Sequence, residues 1–205
     1  MISLFIDTSI SYPTISIVKD SEVLFTFHDE IKSDMSSKIL PIIDEGIKKS
    51  NVSLNSIDRI FVVNGPGSFT GIRIGVTIAK TIAWALNKKI IPLSSLEYMA
   101  TSETNKKYLI PMIDARRNNV FAGIYDIELN CIKNDSLVDI NKLLDDKDND
   151  YELVSYDNIK NSIKPNPSVL KIINKHIDDE GINPHELKPN YLKLTEAEEK
   201  RLAND

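Results

Sequence analysis

Two aspartates in this chain occupy positions where a carboxylate meets a phosphate or a metal ion in many proteins. Asp7 closes the apolar segment "ISLFID" and Asp114 closes "YLIPMID"; each is followed by a polar turn and a returning apolar segment. Paired hairpins of this kind can wrap the phosphates of a nucleotide when glycine after the aspartate lets the backbone come close. Here the hairpins continue Asp7-Thr8-Ser9 and Asp114-Ala115-Arg116, with side chains in that place. Four of the seven glycines, Gly65, Gly67, Gly71 and Gly75, fall in "GPGSFTGIRIG". That stretch lacks the lysine of a G-x-x-x-x-G-K-[ST] phosphate loop, although free N–H groups at the start of the following helix attract anions in general. After Gly123 only Gly181 remains, so no later glycine pair can face an adenosine. ATP hydrolysis by the chain alone is not expected.

Other chemistries lack their residues. A nuclease on this pattern needs several carboxylates around paired metal ions, yet the central apolar segment "IFVVN" ends at Asn64. His28, His176 and His185 are scattered, without the spacing that binds a metal from one helix. They are read as packed or solvent-facing. Ser68 and Thr70 stand at a helix start and are read as caps, not nucleophiles. Cys131 has no evident base nearby. No catalytic residue and no metal site are expected. The net charge of −5 argues against unaided nucleic-acid binding. The lone cysteine forms no internal disulfide, and "MISLFIDTSI" reads as a strand, not a signal peptide. No apolar run approaches the ~18 residues of a membrane span. A soluble, cytoplasmic protein with no membrane partner is expected.

The elements that must position these residues follow from periodicity. "ISLFID", "TISIVK" and "VLFTFHD" are three short strands whose tight connections imply an antiparallel meander. In "SDMSSKILPIIDEGIKKS", Ile39, Ile43 and Ile47 recur at helical spacing. "IDRIFVVN" is a continuous apolar strand to be covered on both faces. "GIRIGVTIAKTIAWALNKK" is a second helix, and "IIPL" a further strand. The order βββαβα plus strand is that of a ribonuclease-H-like lobe. "IDTSISYPTISIV" from Ile6 and "IDARRNNVFAGIY" from Ile113 align without gaps, which makes Asp7 and Asp114 equivalent and implies a duplicated lobe. The expectation is an α/β, two-lobed fold of mixed sheets flanked by helices. The first lobe spans residues 1–102 and carries the partner face, the smaller second lobe 103–192, and a charged tail 193–205. "LLDDKDNDYE" reads as a solvated loop and "SVLKIINKHIDDEG" as a helix ending at Gly181.

Gly71, Gly75, Ala79 and Ala83 form one stripe along the second helix. Two glycines within a helix cost about 1 kcal/mol each relative to alanine, a cost that close backbone approach offsets. Packing on the chain's own sheet and packing on another chain both fit the stripe. Ile72, Ile74, Val76, Ile78, Ile82 and Leu86 add apolar surface on more than one side, as in a helix covered from two directions. Arg73 in the first turn opposes the helix dipole and calls for an acidic partner or a ligand.

"IDTS" (6–9), "GPGSFTGIRIG" (65–75), "IDAR" (113–116) and "PNYLK" (189–193) together resemble the bacterial TsaB (YeaZ) family of tRNA threonylcarbamoyladenosine biosynthesis proteins. The resemblance implies a two-lobed actin-like fold and a non-catalytic subunit. Its partner is the catalytic paralogue TsaD, which transfers a threonylcarbamoyl group to the adenosine beside the tRNA anticodon; a TsaE-type ATPase completes the complex. By the same resemblance ATP and metal belong to partner subunits, tRNA is reached only through the complex, and a homodimer forms through the same face. That face combines Met35, Ile39 and Ile43 with Gly71, Ile72, Arg73, Gly75, Val76, Ala79, Ile82 and Ala83. Gly75→Leu is then expected to leave a folded chain that no longer associates. Asp7, Thr8, Ser9, Gly65, Pro66, Gly67, Ser68, Phe69, Thr70, Asp114 and Arg116 are the motif positions. The metal-binding HxxxH of TsaD-type subunits falls on Asp34 and Lys38. Met35 stands near a position where many relatives carry histidine, Lys193 replaces a usual arginine, and the second lobe is trimmed. A glycoprotease-like peptidase and an actin-like ATPase are the rival readings.

Overall fold

In the computed structural model, residues 1–144 and 150–192 are described; the tail 193–205, Lys193 included, and residues 145–149 lie outside them. The strands β1 (Ile2–Asp7), β2 (Thr14–Lys19) and β3 (Glu22–His28) form the expected antiparallel meander. After α1 (Met35–Lys49), β4 (Arg59–Gly65) runs parallel to β1; after α2 (Phe69–Leu86), β5 (Ile90–Ser94) runs parallel to β4. The strand order is β3-β2-β1-β4-β5. Alternation splits the apolar residues of each inner strand between two faces. Leu4, Ile6, Ile60 and Val62 face α1 and α2, whereas Phe5, Phe61 and Val63 fill the opposite core. Burial on both sides explains why β1 and β4 are almost uninterrupted apolar runs.

The short α3 (Ser95–Ala100) leads into a second sheet. There β6 (Tyr108–Asp114), β7 (Asn119–Asp126) and β8 (Cys131–Asp139) form another meander, and α4 (Ile140–Leu144) precedes β9 (Tyr151–Val154), which runs parallel to β6. The order β8-β7-β6-β9 repeats the first sheet without its fifth strand. The duplication extends to hydrogen bonds: Ser9 N donates to Asp7 Oδ1 and Arg116 N to Asp114 Oδ1, both at 2.8 Å.

Segments from beyond residue 102 pack on the first sheet. The helix α5 (Val169–Lys175) buries Val169, Ile172 and Ile173 against Phe5, Phe61 and Ile91 of the first sheet and Tyr98 of α3. Residues 187–192 also return to that sheet, where Asn190 N donates to Asn64 O at 2.7 Å and Asn64 Nδ2 to Lys188 O at 2.9 Å. An apolar helix face is drawn to the larger uncovered sheet, whatever its place in the chain.

Glu97 on α3 ties α5 down. Its Oε1 accepts from Lys175 Nζ at 2.8 Å and contacts His176 Nε2 at 3.1 Å, and His176 Nδ1 contacts Asp179 Oδ2 at 2.8 Å. The hydrogen bond to Glu97, with Asp179 adding to it, raises the His176 pKa above its ordinary 6.5. The resulting stabilisation is fully present below pH 6.5 and is lost as pH rises through the raised value. Glu97→Gln should therefore reduce the unfolding free energy more at about pH 6 than at about pH 9, the difference being no more than about 1 kcal/mol for these partly exposed groups. A gap between parent and variant that does not change with pH would refute this coupling.

With 18 residues and a mean hydropathy of 1.2, α2 has the length and composition of a membrane span, unlike the sequence expectation. In this fold it lies on β1 and β4, with Ile72, Ala79 and Ala83 fully buried.

Candidate docking face and interlobe cleft

The glycine loop is shaped by the turn after Asp7. Ser68 N donates to Ser9 O at 2.7 Å, and Thr8 Oγ1 donates to Gly71 O at 2.7 Å. A Cβ on Gly71 would collide with the Thr8 carbonyl oxygen, and one on Gly75 would stand 2.5 Å from Thr8 Oγ1. Gly67 has φ 152 and passes directly over Ser9 O; Gly65 has φ 130 and passes over Asn190 O. Ser68 caps α2 by accepting from Gly71 N at 3.2 Å, while Thr70 is an exposed residue of the first turn, not a cap. Ser95 Oγ donates to Pro66 O and fixes the loop from below.

These contacts answer which backbone the small-residue stripe admits. At Gly71 and Gly75 it is the chain's own Thr8, in the turn just after β1, with Ile6 of β1 beside Gly75. Nine of the eleven expected partner residues (Ile39, Ile43, Gly71, Ile72, Gly75, Val76, Ala79, Ile82 and Ala83) are buried within this chain. Met35 is half-buried and Arg73 exposed. Arg73 lies just beyond the first turn, and its neighbours are aromatic rather than acidic. The guanidinium carbon sits 3.7 Å from the Phe69 ring centroid, and Nε donates to Tyr191 Oη at 2.8 Å.

The solvent side of α2 is different in kind. Arg73, Thr77, Thr81 and Trp84 follow one another at spacings of four, four and three, so they share a face. All four are exposed, and Trp84 is 68% accessible. Sequence reasoning passed over Trp84. The polar residues at 73, 77 and 81 carried the signal, because continuing their row leads to the tryptophan and away from the isoleucines.

Between the sheets lies a cleft of about 540 Å³ lined by Ser9, Gly67, Ser68, Phe69, Ile113, Asp114, Arg116, Tyr156, Asp157 and Tyr191 among others. Asp7 lies beneath it at 1% exposure, its Oδ1 accepting from Ser9 N and Ser9 Oγ. Burial raises the Asp7 pKa from 3.8 to about 6, against the opposing effect of the Ser9 hydrogen bonds. Asp114 is exposed, so the paired aspartates are equivalent in the fold but not in environment. One wall joins the lobes: Tyr12 stacks on Tyr156 at 4.7 Å, and His28 shares hydrogen bonds with Thr14 Oγ1 at 2.8 Å and Tyr156 Oη at 2.9 Å. Burial, then the charge of Lys164, lowers the His28 pKa. His185 is exposed, and Cys131 is an exposed thiol bonded to Asn134 at 3.4 Å. Among the described residues no group of three or more His, Cys, Asp or Glu is placed to hold a metal ion.

Two sheets of one topology, each meander turning on an aspartate beside a shared cleft, define a duplicated ribonuclease-H-like protein of the actin-like class. Two Pseudomonas aeruginosa structures share this fold. One, described as YeaZ, superposes with TM-score 0.79 at 19% identity over 93% of this chain and 99% of its own. The other, described as an uncharacterized protein with similarity to peptidase YEAZ, has TM-score 0.80 at 20% identity over 94% and 99%. A family model described as "TsaD: tRNA N6-adenosine threonylcarbamoyltransferase" matches residues 29–178. The tRNA threonylcarbamoyladenosine biosynthesis protein TsaB of Bacillus subtilis is 32% identical over 98% of this chain and 97% of its own length. The chain belongs to this TsaD-related family and, within it, to the TsaB (YeaZ) branch.

Proposed function

We propose that the chain is a non-catalytic subunit in the threonylcarbamoyl modification of the adenosine next to the tRNA anticodon, acting in the cytoplasm by docking and supporting a TsaD-type enzyme. The docking surface is the outer face of α2, extended by the exposed start of α1, in place of the small-residue stripe. One observation carries this reading: a row of exposed residues on α2 that ends in a tryptophan 68% open to solvent. Tryptophan and arginine are the residues that most often dominate binding energy at protein interfaces. In the absence of the enzyme the same face pairs two copies of the chain. A TsaE-type ATPase completes the assembly, ATP and metal reside on the partner subunits, and tRNA is met only through the complex.

The position of Asp34 and Lys38 supports the division of labour. They stand at the start of α1, where the resemblance puts the metal-binding histidines of TsaD-type subunits. In the cleft, Ser9 and Arg116 occupy the hairpin positions where a nucleotide-binding protein of this class needs bare backbone. The peptidase and ATPase readings find no comparable support.

Modification of tRNA should require this chain together with the TsaD-type subunit of the same organism. Trp84→Ala should weaken their association by about 2 kcal/mol, roughly thirtyfold, with no change in melting temperature. Full modification by the enzyme without this chain, or undiminished co-purification of Trp84→Ala, would count against the proposal.

A further inference from the structure

We infer that Arg73 is a pre-set anchor for a carboxylate on the docked enzyme subunit, with Tyr191 and Phe69 as its positioning residues. The inference rests on the docking reading above and names the chemistry that the partner must bring.

The side chain is held on two sides. Its guanidinium sits over the Phe69 ring, with Cζ 3.7 Å from the ring centroid, and Nε donates to Tyr191 Oη at 2.8 Å. The Phe69 and Tyr191 rings stack with centroids 4.9 Å apart. Tyr191 in turn sits on a fixed segment: Lys80 Nζ donates to Leu187 O at 3.1 Å, Leu187 is 1% exposed, and Asn190 N donates to Asn64 O. Beyond the Tyr191 bond, the Arg73 guanidinium forms no hydrogen bond or ion pair among the described residues. Its Nη edge is therefore oriented and unspent.

A planar fork held in one orientation matches a carboxylate in a bidentate pair. Covering it with a partner that offers no acceptor would strand a charge in an interface, which opposes binding. Arg73 and Lys80 are the only charged residues on α2, and Lys80 is already spent on Leu187 O. The face is thus cationic on a chain of net charge −5. Arg73 shares its helix face with the exposed Trp84 and is not among the residues lining the cleft, so the group it meets on docking is a side chain of the partner protein, and an acidic one matches its charge.

The test is equilibrium binding to the purified TsaD-type subunit, at about 50 mM and about 500 mM salt, of the parent and of Trp84→Ala, Arg73→Gln, Arg73→Lys and Tyr191→Phe. Far-ultraviolet melts would establish that each variant is folded. Arg73→Gln should weaken binding at least about tenfold, with most of the loss at low salt. Arg73→Lys should recover only part of it, because it restores the charge without the fork. Tyr191→Phe, which removes one hydroxyl, should cost severalfold. If Trp84→Ala weakens binding and Arg73→Gln does not, the anchor is refuted while the docking face stands. If neither weakens it, both fall. If Arg73→Gln spares the enzyme subunit but weakens tRNA binding to the assembled complex, the fork reads phosphate and the inference is overturned.

Discussion

Gly71→Ala should destabilise the chain by about 1–3 kcal/mol or more, although alanine is the better helix former by about 1 kcal/mol. The two effects oppose each other, so the sign of the result is informative. Gly71 is helical and unstrained, and its importance lies in what stands beside it. A methyl group there meets the carbonyl oxygen of Thr8, a backbone atom fixed at the end of β1 by the hydrogen bonds of the Asp7–Ser9 turn. Either α2 moves outward and loses the Thr8 Oγ1 hydrogen bond to Gly71 O, or the turn deforms. Denaturant unfolding measures the difference directly. An alanine variant as stable as the parent would mean that α2 is free to shift. By the same geometry Gly75→Leu should unfold the protein, in contrast to the expectation from sequence of a folded chain that merely fails to associate.

Asp7→Asn should stabilise the protein at neutral pH by up to about 3 kcal/mol, since a shift of one pKa unit corresponds to about 1.4 kcal/mol. The Asp7 pKa rises on folding from 3.8 to about 6, so at pH 7 the folded state must bury a charge that the unfolded chain keeps in water. The native state binds more protons between those two values. Asp7 therefore costs stability above pH 6, and the cost fades as pH falls toward 3.8. Asparagine keeps an acceptor for the two Ser9 hydrogen bonds and removes the charge. For a chain of this size the gain is roughly 6–12 °C in melting temperature near neutrality, shrinking to nothing near pH 4. A gain that does not depend on pH, or no gain at pH 7, would show that the buried carboxyl is not the cause.

Much of the architecture was legible because it follows from local rules. Alternation in "ISLFID" and "TISIVK", the four-residue rhythm of Ile39, Ile43 and Ile47, and the gapless echo of Asp7 in Asp114 gave the meanders, the helices and the duplication. The orientation of α2 was not legible. A stripe of glycine and alanine says only that something comes close, and Thr8, which stands against both glycines, lies 63 residues from Gly71. The docking of α5 was hidden for a related reason: Val169, Ile172 and Ile173 announce an apolar face, but nothing local says which sheet receives it. Arg73 was recognised as a cation in need of a partner. That the partner would be a tyrosine near the far end of the chain is tertiary information.

Tyr191 stands 118 residues after Arg73, beyond every strand of the second sheet. A polypeptide emerging from the ribosome presents α2 long before it can present the hydroxyl that steadies the arginine. The finished surface thus exists only after the last strand and helix among the described residues have been made, and a prematurely terminated product would offer its enzyme a loose, unset arginine. Synthesis order alone favours pairing with completed molecules.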